Sequence, residues 1–290
     1  INMCYLSNRT DFPEKQYYKI KKEYFDNIET NLIKGVISSN YAPVDDKNIQ
    51  PGERVFYTTR NAKYIDTAIS VIKKLPEEVA VFFLAPLLYE ASVKNNTAGM
   101  FKGFYKDSKT GLGKYGGTGE YALKRIKGNI EILEPIFSNF DCKVSVFQED
   151  SNYLSKELKD VDITYIDPPY NQHPYGSNYF MLNAIIDGEL KSEISKVSGI
   201  PKNWNRSAFN VKSNALSTLE DIIIHLDTKY FIISYNSEGF IGFDEMKTML
   251  EKYGDLKINE IPYNTYRGSR NLSERNLYVD EYLFVLKKTT

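Results

Sequence analysis

Asp162-Ile163-Thr164-Tyr165-Ile166 runs without a break into Asp167-Pro168-Pro169-Tyr170, and this junction decides how the 290-residue chain folds. The first five residues are rich in β-branched and aromatic side chains and read as a strand. Two successive prolines then fix φ at two positions and remove two N–H donors, so a sheet ladder cannot continue through them. Downstream, residues 216–226 read as a helix, 229–235 (KYFIISY) as a strand and 243–253 as a helix. Residues 256–263 and 278–287 read as two closing strands, a hairpin. Upstream, 143–148 (KVSVFQ) reads as a strand and 152–158 as a short helix. Strand–helix repetition predicts an α/β fold with a mostly parallel sheet covered by helices. Ligands of such sheets bind beyond the carboxyl ends of the strands, where Asp167–Tyr170 falls.

The tetrapeptide has a chemistry of its own. Its prolines keep the carbonyls of Asp167 and Pro168 out of a ladder, leaving a carboxylate, a carbonyl and the Tyr170 ring at the sheet edge. Two acceptors can hold the two hydrogens of an exocyclic amino group on a planar base, and a ring can stack on its face. A proline-terminated strand end alone is commonplace; the strand before it and the flanking Asp and Tyr point to chemistry.

The first third of the chain reads as helical. Residues 13–28 carry aromatics at helical spacing, Ile65, Ala68, Ile69 and Ile72 form a helical stripe in 61–75, and 79–94 reads as a buried helix. Residues 94–127 differ: eight Lys/Arg face two acidic residues, a surplus of six positive charges, so the net −1 of the whole chain leaves the remainder at −7. That stretch also holds seven of the 17 glycines, with Phe101, Phe104, Tyr105, Tyr115 and Tyr121 among the charges. Such a segment suits a nucleic-acid backbone; a solvated loop and surface helix is the plainer alternative. Overall near-neutrality argues against a uniformly basic, histone-like protein. Two cysteines, Cys4 and Cys142, make no disulfide framework and imply a reducing compartment, the cytoplasm. No apolar run approaches the ~20 residues of a membrane span.

Together these residues resemble the adenine-N6 DNA methyltransferases of the Dam-like (D12) class, in a branch similar to the FokI methylase. Residues 167–183 (DPPYNQHPYGSNYFMLN) resemble the catalytic motif and its following loop, and Ser234-Tyr235-Asn236 a second active-site strand end. Residues 263–272 (YNTYRGSRNL) and 282–285 (YLFV) resemble the C-terminal hairpin, while 96–107 (NTAGMFKGFYKD) and 111–119 (GLGKYGGTG) resemble the DNA-recognition region. The resemblance implies a Rossmann-like class I methyltransferase sheet with a helical and loop insert that reads DNA. It implies an N-terminal helical segment at 1–35, a target-recognition region at 36–140 and a catalytic domain at 141–290. Asp167, Pro168, Pro169 and Tyr170 would be catalytic, acting on an adenine flipped out of double-stranded DNA. Asp167 and the Pro168 carbonyl would accept the N6 hydrogens, and Tyr170 would stack on the base. S-adenosylmethionine would donate the methyl group by direct displacement, held by Asp150, Asp167 and Tyr170; no metal is implied. Asp150 also reads as a helix N-cap, and both roles are compatible. DNA contacts would come from Lys102, Tyr105, Lys106, Lys109, Lys114, Arg125, Arg206, Arg267 and Arg270. For Trp204 and Arg206, plain loop packing stays open. The 171–179 loop would cover the site, with His173 as a hydrogen-bonding loop residue. The whole would be the modification arm of a restriction–modification system.

In one place the chain departs from the family. The Phe-x-Gly-x-Gly turn that brings backbone close to the cofactor is not found. Gly111-Leu-Gly113-Lys-Tyr-Gly116 satisfies G-x-G-x-x-G, but no apolar strand precedes it, so it reads as a DNA-facing loop. The expectation is that the first two strands are absent from a chain that begins at Ile1, whether as a fragment, half of a split enzyme or a shortened form. The 162–166 strand would then expose an edge, the chain alone would bind S-adenosylmethionine poorly, and a complementing N-terminal segment or chain would be a partner. Two alternatives stay open: a half-enzyme that only binds DNA, and methylation of another amino nitrogen, on cytosine N4, an RNA adenine or glutamine. Asp at 167 and the long basic insert favour adenine in duplex DNA.

Overall fold

The computed structural model describes residues 1–117, 121–264 and 278–289. In chain order its helices are α1 (Asn2–Tyr5), α2 (Glu14–Ile20), α3 (Val36–Asn40), α4 (Thr59–Ile72), α5 (Glu77–Val93), α6 (Tyr121–Lys127), α7 (Ser151–Glu157), α8 (Tyr175–Asn178), α9 (Phe180–Asp187), α10 (Lys212–His225) and α11 (Phe243–Leu250). The strands are β1 (Val161–Ile166), β2 (Thr228–Asn236), β3 (Gly254–Asn264) and β4 (Tyr278–Lys288). The chain divides into two compact units, Ile1–Val146 with Ser177–Trp204, and Phe147–Gly176 with Asn205–Thr290.

The first unit is helical around an aromatic core. The helical spacing of 13–28 buries Tyr17 and Phe25, which stack on Phe83 of α5 at ring distances of 4.3 and 4.9 Å. Phe12 meets Phe82 edge-on at 5.0 Å. α4 starts where the Thr58 side chain accepts from Asn61 N, and its stripe turns Ile65, Ala68, Ile69 and Ile72 inward. α5 buries residues all round, as its apolar sequence predicts, and tolerates Pro86 within it.

The second unit holds a four-stranded sheet in the order β1-β2-β4-β3. β1 and β2 are parallel, with Val161 opposite Thr228 and Ile166 opposite Ile233. β4 is antiparallel to both β2 and β3. The sheet is therefore mixed and not mostly parallel, because the closing strand inserts between β2 and β3. Leu219 and Ile223 of α10, Phe231 and Ile233 of β2, Met246 and Leu250 of α11, and Phe284 and Leu286 of β4 form one core. β1 is an outer strand: Ile163 is 60% and Tyr165 61% exposed.

Residues 143–148 do not form the expected strand, and Val144, Val146 and Phe147 are exposed. A strand requires a ladder partner. Here the neighbouring Cys142 is met instead by a side chain: its N–H donates to Asn8 Oδ1 (3.0 Å) and its carbonyl accepts from Asn8 Nδ2 (3.1 Å). Among the described residues no helix is long and apolar enough to cross a membrane.

Candidate active site

Because β1 and β2 run parallel, Asp167 and the Ser234-Tyr235-Asn236 end of β2 lie on the same edge of the sheet. Asp167 is exposed, Pro168 is buried, and Pro169 and Tyr170 are half-buried. Among the described residues no hydrogen bond engages the Asp167 carboxylate or the Pro168 carbonyl. The backbone just beyond is pinned. The Tyr170 carbonyl accepts from Phe240 N at 2.8 Å. The Asn171 carbonyl accepts from Nδ2 of the buried Asn210 at 2.8 Å, while Asn210 Oδ1 accepts from Ser207 N at 3.2 Å. The Tyr170 ring stands edge-on to Tyr235, 6.2 Å away at 72°. Burial raises the Tyr235 pKa, and its hydroxyl accepts from Ile241 N at 3.1 Å. Asn236 donates to Glu281 Oε1 at 2.7 Å. Two acceptors and a ring are thus presented on fixed backbone. His173, Tyr175 and Tyr179 of the following loop are exposed, and His173 N donates to Asn171 Oδ1 at 2.9 Å.

A cavity of about 370 Å³ adjoins the tetrapeptide. Its walls come from Leu154 of α7 and Leu158 just after it, from β1 through Pro169, from Ser207 and Phe209, and from Ile222 of α10 and Leu226 just after it. Asp150 stands at the head of α7 as its N-cap, accepting from Asn152 N (3.0 Å) and Tyr153 N (3.1 Å). α7 is locked to α10 by Asn152, whose Nδ2 donates to Thr218 O (2.9 Å) and Asp221 Oδ2 (2.8 Å). That hydrogen bond, with smaller help from Lys156 and His225, holds the Asp221 pKa below the usual carboxylate range. Size and apolar walls suit the nucleoside end of S-adenosylmethionine. The lining contains no glycine, lysine or arginine, so the described walls offer no backbone cradle or cation for an amino-acid carboxylate. Sequence reasoning did not find Ser207, Phe209, Asn210 or the α10 wall. They join the site only through the tertiary fold; the one local signal was the Ser207 cap, which accepts from Phe209 N.

The basic stretch lies in the first unit. Phe101 and Phe104 enter the core, and the Tyr115 hydroxyl bonds Asp46 Oδ1 (2.5 Å) and the Tyr57 carbonyl (3.2 Å), so these aromatics anchor the stretch. Lys102 is half-buried, which lowers its pKa. Tyr105 and Lys114 are half-buried and joined through Lys114 N to the Tyr105 carbonyl at 2.9 Å. Lys106 is exposed, 5.1 Å from the Phe104 ring, and Lys109 is exposed at the turn. Arg125 uses its guanidinium on the Val93 and Asn95 carbonyls at the end of α5. Arg206 is exposed and Trp204 half-buried. Arg267 and Arg270 lie outside the described residues. Among the described residues no strand leads into 111–116, and Lys106 and Gly113 pair as an antiparallel bridge.

The structure thus puts Asp-Pro-Pro-Tyr at the end of a parallel strand beside a cavity, the arrangement that the resemblance to amino-nitrogen methyltransferases implies. Comparison with known proteins narrows the class. The sequence profile of the D12 class N6 adenine-specific DNA methyltransferases matches residues 5–249, and the chain belongs to that family. It is 30% identical over 246 residues to the type II methyltransferase M.NlaIII of Neisseria lactamica, covering 82% of this chain and 68% of that protein. It is 29% identical over 270 residues to the type II methyltransferase M.CviAII of Paramecium bursaria Chlorella virus 1, covering 90% and 73%. To the type II methyltransferase M.FokI of Planomicrobium okeanokoites it is 23% identical over 284 residues, covering 95% and 39%. No solved structure gives a significant match.

Proposed function

We propose that this DNA methyltransferase takes its methyl group from S-adenosylmethionine and places it on N6 of an adenine flipped out of duplex DNA. The observation that carries the reading is the Asp167 carboxylate and the Pro168 carbonyl, two acceptors beside the cavity that no hydrogen bond engages among the described residues. The amino group must leave the stacked, paired base to reach them. Asp167 and Pro168 then accept its two hydrogens, which aims the nitrogen lone pair, and Tyr170 stacks on the base. Pro169 fixes the backbone between them. When bound, S-adenosylmethionine supplies an electrophilic methyl group on sulfur. Asp150 and the α7 wall would hold its nucleoside end, and Asp167 and Tyr170 would stand at the reacting end. Lys102, Tyr105, Lys106, Lys109, Lys114, Arg206, Arg267 and Arg270 contact the duplex; Arg125 does so while bracing α5. The type II relatives place the enzyme in a restriction–modification system, and its two free cysteines suit the reducing cytoplasm.

The outer edge of β1 supports a second part of the reading. A complementing N-terminal segment or partner chain pairs there as a strand and supplies the cradle for the cofactor's amino-acid end that the described cavity walls lack.

The test is single-molecule sequencing of DNA from cells expressing the gene with and without Asp167→Ala, alongside DNA binding by the purified proteins. Methylated adenine in one sequence context is expected, lost in the variant while DNA binding stays. Turnover retained by the variant would overturn the assignment.

A further inference from the structure

Two short hairpins of the first unit line one groove of about 260 Å³. The first belongs to the basic stretch. Asp107 N donates to Leu112 O at 2.8 Å and Gly111 N to Asp107 O at 2.9 Å. The Asp107 carboxylate closes the turn by accepting from Lys109 N (3.0 Å), Thr110 N (2.9 Å) and the Thr110 hydroxyl (3.1 Å), which lowers its pKa. Gly113 is pressed on the core: a Cβ there would lie 2.3 Å from Val55 Cγ2.

The second hairpin, residues 193–202, lies outside the basic stretch and carries Lys196 and Lys202 against Glu193. Ile194 bridges Pro201, Ser195 N donates to Ile200 O (2.9 Å), and Lys202 N donates to Glu193 O (2.9 Å). It is anchored from inside. Arg54 donates to the Ser195 carbonyl (2.9 Å) and the Lys196 carbonyl (3.0 Å), and the buried Tyr41 hydroxyl donates to the Gly199 carbonyl (2.8 Å). Gly199 has φ +72, and a Cβ there would come within 2.6 Å of the Tyr41 ring. The tip is therefore held in one shape.

Each hairpin gives the groove one lysine, Lys106 from the first and Lys196 from the second. Both are exposed, and among the described residues neither makes an ion pair. The one acidic residue of the lining, Glu53, has its oxygens on Val44 N (2.9 Å) and Gln50 N (2.7 Å). Gly52 and Gly111 border the groove where a Cβ would meet nothing within 4 Å, so a bulky backbone can approach closely. Two cations set in advance on rigid hairpins lose little freedom on binding a polyanion.

We propose that the 193–202 hairpin is a second DNA-contacting element, and that Lys106 and Lys196 grip the sugar–phosphate backbone across this groove. The proposal rests on the duplex-DNA reading above. Its test is the salt dependence of binding of the whole chain to a short random-sequence duplex, followed by fluorescence anisotropy. Withdrawing one lysine from a DNA phosphate makes the log–log slope shallower by about 0.9. Lys196→Ala is expected to remove about that much, the double variant with Lys106→Ala about twice as much, and Lys196→Arg to restore the slope. A normal slope in Lys196→Ala, with salt-dependent binding intact in the unsubstituted chain, would overturn the groove and leave the DNA reading standing. Absence of salt-dependent binding by the unsubstituted chain would overturn both.

Discussion

Asn96 is fully buried and holds the basic stretch to the core. Its Nδ2 donates to the carbonyls of Val55 (2.7 Å) and Lys114 (2.8 Å), and its Oδ1 accepts from Gly116 N (2.9 Å). Asn96→Ala leaves these groups without partners, and we expect a loss of about 2–4 kcal/mol, read as a lower urea midpoint with an unchanged slope. Asn96→Leu restores volume and none of the bonds, so it should not recover the midpoint. Asp167 and Asn96 also differ in how readable they were. Asp167 declared itself because strand, prolines and ring are contiguous in sequence. The worth of Asn96 lies in partners such as Val55, forty-one positions away, and no local pattern carries that. The same holds for Asn210, which fixes Asn171 from across the second unit.

At the scale of elements, α7 is the piece whose docking can be titrated. It is a seven-residue helix, too short to persist on its own propensity. Its cap at Asp150 and its Asn152 lock to Asp221 hold it beside β1. The folded pKa of Asp221 is depressed, so its contribution is full above the unfolded value of about 3.9 and is lost as pH falls through the lower folded value. Asp221 is partly exposed, which keeps the effect small. We expect amide protection factors of residues 151–157 to fall below about pH 4 while those of α11 persist, as hydrogen exchange can measure. Asn152→Ala should lower α7 protection at neutral pH as well. The helix was legible from sequence because its cap at Asp150 is local. The neighbouring 143–148 stretch has equally good strand chemistry and forms none among the described residues, because a strand's stability resides in its neighbour.

At the scale of the whole molecule, a net charge of −1 hid a basic stretch in one unit and an acidic remainder, a division that residue counts along the chain make plain. The return of Ser177–Trp204 to the first unit could not be read, since it follows from packing alone. The order β1-β2-β4-β3 leaves the strand that carries the catalytic tetrapeptide on the outside of the sheet. Among the described residues its outer N–H and C=O groups pair with no strand, and Ile163 and Tyr165 expose apolar surface beside them, the kind of edge that recruits another strand. The same edge borders the cavity, since Tyr165 lines it. Strand pairing and cofactor binding should therefore be linked: what completes the edge also completes the cavity wall. For the purified 290-residue chain we expect concentration-dependent self-association in sedimentation velocity and weak S-adenosylmethionine binding in isothermal titration. Tyr165→Lys should suppress the association without strengthening cofactor binding, because a lysine blocks edge pairing and builds no cradle. Micromolar binding of S-adenosylmethionine by the unsubstituted chain, as a monomer, would show that the edge needs no complement.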